Sequence, residues 1–122
     1  MDRSSTPLLV ACLCARWCGS CRDYTATFEQ AGAGLGERCR FVWIDIEDDA
    51  ALVDGVDVDD FPTLLIARAD RLLFFGPITP HPQTVTRLVA SALAGELKLS
   101  TTVDAPTVSA LEALVQRLAA RG

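Results

Sequence analysis

The sequence predicts an α/β fold, with a mixed four-stranded sheet and helices on both faces. Three observations predict it. Short apolar runs of four to eight residues alternate with segments whose apolar side chains recur at three- and four-residue steps. A cysteine pair, Cys18 and Cys21, stands where the first such run hands over to the first such segment. Two further runs, split by Asp70-Arg71, read as a hairpin, so antiparallel pairing joins the parallel pairing of the β-α-β part.

Taken in order, Leu8-Leu9-Val10-Ala11-Cys12-Leu13-Cys14 reads as a buried strand. Cys21, Tyr24, Phe28, Ala31 and Leu35 then form one apolar face of a helix, which Gly32, Gly34 and Gly36 are expected to end. Residues 39–46, rich in aromatic and β-branched side chains, predict a second strand. Residues 48–55 predict a short helix closing at Gly55. After Phe61-Pro62-Thr63 come the strands Leu64–Ala67 and Leu72–Phe75, the second broken by Gly76-Pro77. Pro80 and Pro82 suit the first turn of a helix with Val85, Leu88, Val89, Ala92 and Leu93 on its apolar face. A last helix opens at Asp104-Ala105-Pro106 and carries Val108, Leu111, Leu114, Val115 and Leu118 on one stripe.

Composition sets the frame. The 122 residues suit one packed domain, and half of them are hydrophobic, which argues against disorder. The longest apolar runs fall well short of the ~18 residues of a membrane span. The N-terminus carries an acid and lacks the basic lead of a signal peptide, so the expected setting is cytoplasmic. The net charge of −5 argues against nucleic acid as a partner. Five cysteines is an odd number, and an interior C-x-x-C in a cytosolic chain favours redox work over a structural disulfide framework.

The chemistry follows from placement. A cysteine at a helix N-terminus faces free backbone N–H groups and the positive end of the helix dipole, which favour a thiolate. Cys21, one turn further in, faces the same side and can close a disulfide with Cys18. C-x-x-C alone leaves zinc binding and redox exchange both open. Cys12-x-Cys14-x3-Cys18-x2-Cys21 is a conceivable four-thiolate set, but a rigid strand would hold Cys12 and Cys14 badly for one tetrahedron.

With these residues at its joints, the chain resembles the thioredoxin family. Trp17-Cys18-Gly19-Ser20-Cys21 matches the family's WCxxC, Phe61-Pro62-Thr63 its cis-proline element, and Gly76 its glycine beside the active site. The resemblance covers about residues 7–95. It implies that Cys18 is the nucleophile that attacks a client disulfide and Cys21 the thiol that resolves the mixed disulfide. It further implies that Trp17 is an apolar platform, Gly19 and Gly76 allow close backbone approach, and Phe61 and Pro62 receive an extended client segment. On this reading the working group is the Cys18–Cys21 disulfide, with no metal or other cofactor. The partners are a disulfide-containing client protein and an electron donor such as a thioredoxin reductase.

Departures from the family pattern matter as much. Thioredoxins commonly bury an Asp six residues before the first cysteine, where this chain has Cys12, and a partner Lys on the next strand, where it has Trp43. Losing both members of a buried pair is coherent, because either alone would be costly. It leaves no evident base for Cys21, so slow resolution is expected. Gly-Ser replaces Gly-Pro between the cysteines, which should move the redox potential.

Other residues carry two readings each. Cys12 is a third redox thiol or a small buried apolar residue, the latter favoured. Cys39 reads as structural, and His81 as a cap or surface residue. Residues 45–60 hold eight acids and no Lys or Arg, ending at Asp59 and Asp60 before Pro62. They either rim a groove that selects basic clients or form a solvated face. Arg16 and Arg22 flank the cysteines and would favour a thiolate.

Two units are expected: residues 1–95, lacking the β-α unit that opens a full thioredoxin, and residues 96–122, an added amphipathic helix. That helix covers the sheet face left bare or serves an interface, giving a monomer or weak dimer. The expected function is a thiol–disulfide oxidoreductase that reduces protein disulfides. The alternative is a binding or regulatory module with a switchable dithiol and little turnover.

Overall fold

The computed structural model describes residues 7–15, 17–58, 60–69 and 71–121, so Arg16, Asp59 and Asp70 of the readings above lie outside the described residues. Four strands, β1 (Leu8–Cys14), β2 (Cys39–Asp45), β3 (Thr63–Arg68) and β4 (Arg71–Pro77), form one sheet in the order β2-β1-β3-β4. β1 is parallel to β2 and antiparallel to β3, and β3 is antiparallel to β4, so the sheet is mixed as the sequence predicts. The helices are α1 (Gly19–Leu35), α2 (Pro82–Leu93) and α3 (Ala105–Arg121), with a 3-10 turn at Gly36–Arg38.

All seven residues of β1 are buried, because it is an inner strand with helices on both faces. The two-residue period of a strand then divides its side chains. Leu8, Val10, Cys12 and Cys14 join Tyr24 and Phe28 of α1 and Val85, Val89 and Ala92 of α2 in one core cluster. Leu9, Ala11 and Leu13 join Ile44, Leu65, Ala67 and the α3 residues Leu111, Leu114, Val115 and Leu118 in the other. The C-terminal helix thus covers the second sheet face. Two side chains tie it down: Arg40 donates to the Leu118 carbonyl at 3.1 Å, and Arg117 donates to the Leu52 carbonyl at 3.0 Å. Asp104 caps it, accepting the Thr107 N–H at 2.9 Å.

Three local expectations are corrected. α1 continues through Gly32 and Gly34 to Leu35, and only Gly36, at φ +62°, ends it. Gly32 is kept small by packing, since a Cβ there would lie 2.8 Å from Phe41 Cγ. Residues 48–55 form successive turns in place of a helix. Asp45 Oδ1 accepts the N–H groups of Glu47 and Asp48, a local alternative to helical pairing, and Gly55 turns the chain at φ +87°. β4 runs through Gly76 to Pro77, because an edge strand tolerates a proline.

Candidate active site

The site is assembled at the β1–α1 joint. Cys14 is the last residue of β1, and the chain turns immediately, with the Cys18 N–H donating to the Ala15 carbonyl at 3.0 Å. Cys18 occupies the N-cap position of α1 in extended geometry (φ −84°, ψ 121°), and its carbonyl accepts the Arg22 N–H. Its sulfur makes no capping hydrogen bond and remains a free, half-buried thiol. Gly19 opens the helix with nothing within 4 Å of the place a Cβ would take, so another backbone can come close.

Cys21 is bonded to Cys14, not to Cys18. This corrects the pairing expected from the C-x-x-C spacing. The reason lies in which way each side chain faces. Cys21 begins the buried stripe of α1 and is 1% exposed, aimed at β1. On β1 the even-numbered residues face that helix, and Cys14 meets Cys21 with a Cα–Cα separation of 5.8 Å, within the ordinary disulfide range. Cys12, two residues earlier on the same face, has its Sγ 3.9 Å from that of Cys14. Since the Cys14 sulfur is already bonded to Cys21, the hydrogen in this contact belongs to Cys12. Burial pushes the Cys12 thiol up to about 12, so it stays protonated at neutral pH.

The proline segment lies alongside. The Phe61–Pro62 peptide bond is cis, Pro62 is buried, and its carbonyl accepts the Ile78 N–H at 3.0 Å. The Phe61 ring meets the Trp17 ring edge-on at 5.6 Å. Trp17 is 62% exposed, and its Nε1–H donates to Glu47 Oε2 at 3.0 Å. Trp17, Phe61 and Glu47 thus join three separate loops beside Cys18. Gly76 stands opposite Leu64 in the β3–β4 register, two residues along β3 from Pro62. Asp60 is exposed, and its carbonyl accepts the Thr63 hydroxyl.

Cys12 and Trp43 face one another across β1 and β2, the two places where the charged pair of the family pattern would sit. Trp43 packs on Phe28 at 5.8 Å, so aromatic contact replaces the ion pair. The Tyr24 hydroxyl is buried, with no hydrogen-bond partner among the described residues; burial, and secondarily the nearby Cys12, push it up to about 12. Cys39, at the far end of β2, is buried and its thiol is likewise raised by burial. Among the described residues no three His, Cys, Asp or Glu side chains gather as metal ligands.

Residues 1–75 match the family model described as Thioredoxin. The chain belongs to the thioredoxin family. The thioredoxin match spans both the cysteine joint and the cis-proline. Among curated proteins, the chain is 27% identical over 92 residues to protein disulfide-isomerase MPD1 of Saccharomyces cerevisiae. That alignment takes 74% of this chain but only 29% of the yeast protein. Two solved thioredoxins show the same fold. One is thioredoxin from Trypanosoma brucei brucei (24% identity, TM-score 0.64, 75% of this chain and 80% of that one). The other is the germline-specific thioredoxin Deadhead of Drosophila melanogaster (22% identity, TM-score 0.63, 70% and 80%).

Cys18, Cys21, Trp17 and Phe61 are legible in the sequence, whereas two further participants emerge only in the fold. Cys14 reads in the sequence as the end of a buried strand and a member of a conceivable zinc set, and its disulfide to Cys21 emerges only when β1 and α1 pack. Glu47 reads in the sequence only as one of the acids of residues 45–60, because its bond to Trp17 depends on where the turn after β2 lands.

Proposed function

We propose that this chain is a thiol–disulfide oxidoreductase that reduces protein disulfides. The carrying observation is a free thiol, Cys18, at the N-terminus of α1 and one helical turn from Cys21, which is itself bonded to Cys14. Cys18 attacks a client disulfide, forming a mixed disulfide and releasing one client thiolate; Cys21 then attacks Cys18 and releases the second. Trp17, Phe61 and cis-Pro62 receive the extended client segment beside Cys18, and Gly19 and Gly76 leave room for its backbone. Glu47 holds Trp17 in place. The working group is the cysteine set itself, and a thioredoxin reductase or similar donor in the cytoplasm restores the thiols.

The test is reduction of insulin disulfides by dithiothreitol, followed as turbidity. Wild type accelerates it several-fold and Cys18→Ser does not; a wild type no faster than dithiothreitol alone overturns the proposal. That result would leave the second reading, a redox-switched binding module. It is favoured by one observation, that Cys21 is held in a buried disulfide, away from the exposed rim.

A further inference from the structure

We propose that Cys21 is shared between two disulfides, and that Cys14 takes it over from Cys18, so that the oxidised protein keeps a free thiol on Cys18 able to carry a small thiol as a mixed disulfide. This rests on the oxidoreductase reading for the first oxidation and adds a third redox cysteine to it.

The geometry supplies each part. Cys21 is held between two candidates: Cys18 precedes it by one helical turn, and Cys14 faces it from β1, bonded in this structure. Side chains three residues apart on a helix stand ~5–6 Å apart at Cβ, close enough for exchange after small rotations. Transfer needs neither client nor cofactor. The Cys14 thiol gives its proton to water and its sulfur attacks Cys21. The Cys14–Cys21 bond forms as the Cys18–Cys21 bond breaks, and the Cys18 sulfur leaves with the electron pair and takes up a proton from water. Among Cys14, Cys18 and Cys21 there are one thiol hydrogen and one disulfide before and after, so no oxidant is consumed.

Two features bias the transfer inward. The departing Cys18 sulfur gains its negative charge at the helix N-terminus, where free N–H groups stabilise an anion. The attacking Cys14 sulfur lies beside the Cys12 thiol at 3.9 Å, which remains a thiol in this buried place and can donate to the charge on Cys14.

The inner disulfide changes what Cys18 can do. While Cys21 is free, an adduct on Cys18 can be discharged by it. Once Cys21 is bonded to Cys14, Cys18 has no resolving partner. The Cys18 thiolate then attacks a small disulfide such as glutathione disulfide, forming Cys18–S–S–glutathione and releasing one glutathione thiolate. That adduct persists. The inner disulfide is shielded from external thiols because Cys14 and Cys21 are each 1% exposed.

Trypsin makes the test direct, since Arg16 separates Cys14 from Cys18 and Cys21. The full chain is oxidised with excess glutathione disulfide, quenched with acid and digested. Wild type is expected to give peptide 4–16 cross-linked to peptide 17–22, with one glutathione on Cys18. Cys14→Ala should give peptide 17–22 closed on itself and no glutathione. A wild type yielding only the closed peptide without glutathione overturns the proposal, and this arm needs no variant to fold. A cross-link that survives in Cys14→Ala and vanishes in Cys12→Ala overturns the assignment to Cys14. Insulin reduction run in parallel separates the two readings. A closed peptide with full activity removes only the shared-disulfide proposal, and a cross-linked peptide with no activity removes only the catalytic one.

Discussion

The Trp17 ring meets the Phe61 ring edge-on at 5.6 Å, joining the cysteine loop to the residue before the cis-proline. Such a pair contributes about 0.5–1.5 kcal/mol beyond the area it buries. Phe61→Ala is therefore expected to cost little stability and to raise KM for an insulin-type client several-fold while sparing kcat. A change in Trp17 fluorescence reports the lost contact directly. An unchanged KM would remove Phe61 from the client-binding surface.

The Glu47–Trp17 bond predicts a second, smaller effect. Glu47→Ala removes the acceptor 3.0 Å from Nε1 and frees the indole to rotate. Because the contact is exposed, stability should change by less than about 1 kcal/mol. Trp17 fluorescence anisotropy should fall, and activity should drop less than in Phe61→Ala.

Two glycines of α1 are expected to respond in opposite directions. Gly34 has open space where a Cβ would go, so Gly34→Ala should stabilise by about 0.5–1 kcal/mol. Gly32→Ala places a methyl 2.8 Å from the base of the Phe41 ring and should destabilise by about 1–3 kcal/mol. Urea denaturation of the two variants checks both signs at once.

Truncating α3 side chains should be costly. Leu114 is fully buried and Leu118 nearly so, on the sheet face opposite the cysteines. Leu114→Ala and Leu118→Ala are each expected to lose about 2–5 kcal/mol in denaturant melts. Loss below about 1 kcal/mol in both would mean that α3 is not part of the folding core.

Alkaline pH should weaken the fold through Cys12 and Tyr24. In the folded chain both are raised to about 12, from ordinary values of 9.0 and 10.0. The unfolded chain therefore loses these protons first. Stability is full below about pH 9 and falls as pH rises toward 12, by about 1.4 kcal/mol per pH unit for each group in its window. Cys12→Ala should flatten the first part of the decline in denaturation midpoints measured from pH 8 to pH 11. The same burial predicts that iodoacetamide at pH 8 labels Cys18 in the native protein and Cys12 only after unfolding.

Much of this was legible in the sequence because it rests on period. The stripe Cys21, Tyr24, Phe28 and the alternation of β1 are short-range patterns, and they mark which residues of each element are buried together. The stripe of α3 was equally plain. Sulfur pairing was not legible, because C-x-x-C spacing makes Cys18 and Cys21 neighbours along the chain, while Cys14 becomes a neighbour only when strand and helix pack. Gly32 was misread for a similar reason: in sequence it resembles a helix stop, whereas in space it accommodates Phe41. The turns at 48–55 depend on Asp45 capturing two backbone N–H groups, a choice that apolar periodicity does not register.

The alternation along β1 also separates two trades within one strand. Every second residue serves the sulfurs and their aromatic wall, and the residues between them serve only the α3 side. Remodelling of the C-terminal helix, for a new binding face or a fused module, can reach the thiols only through the backbone they share. The protein can therefore acquire new attachments behind the sheet while its reactive side stays as it is.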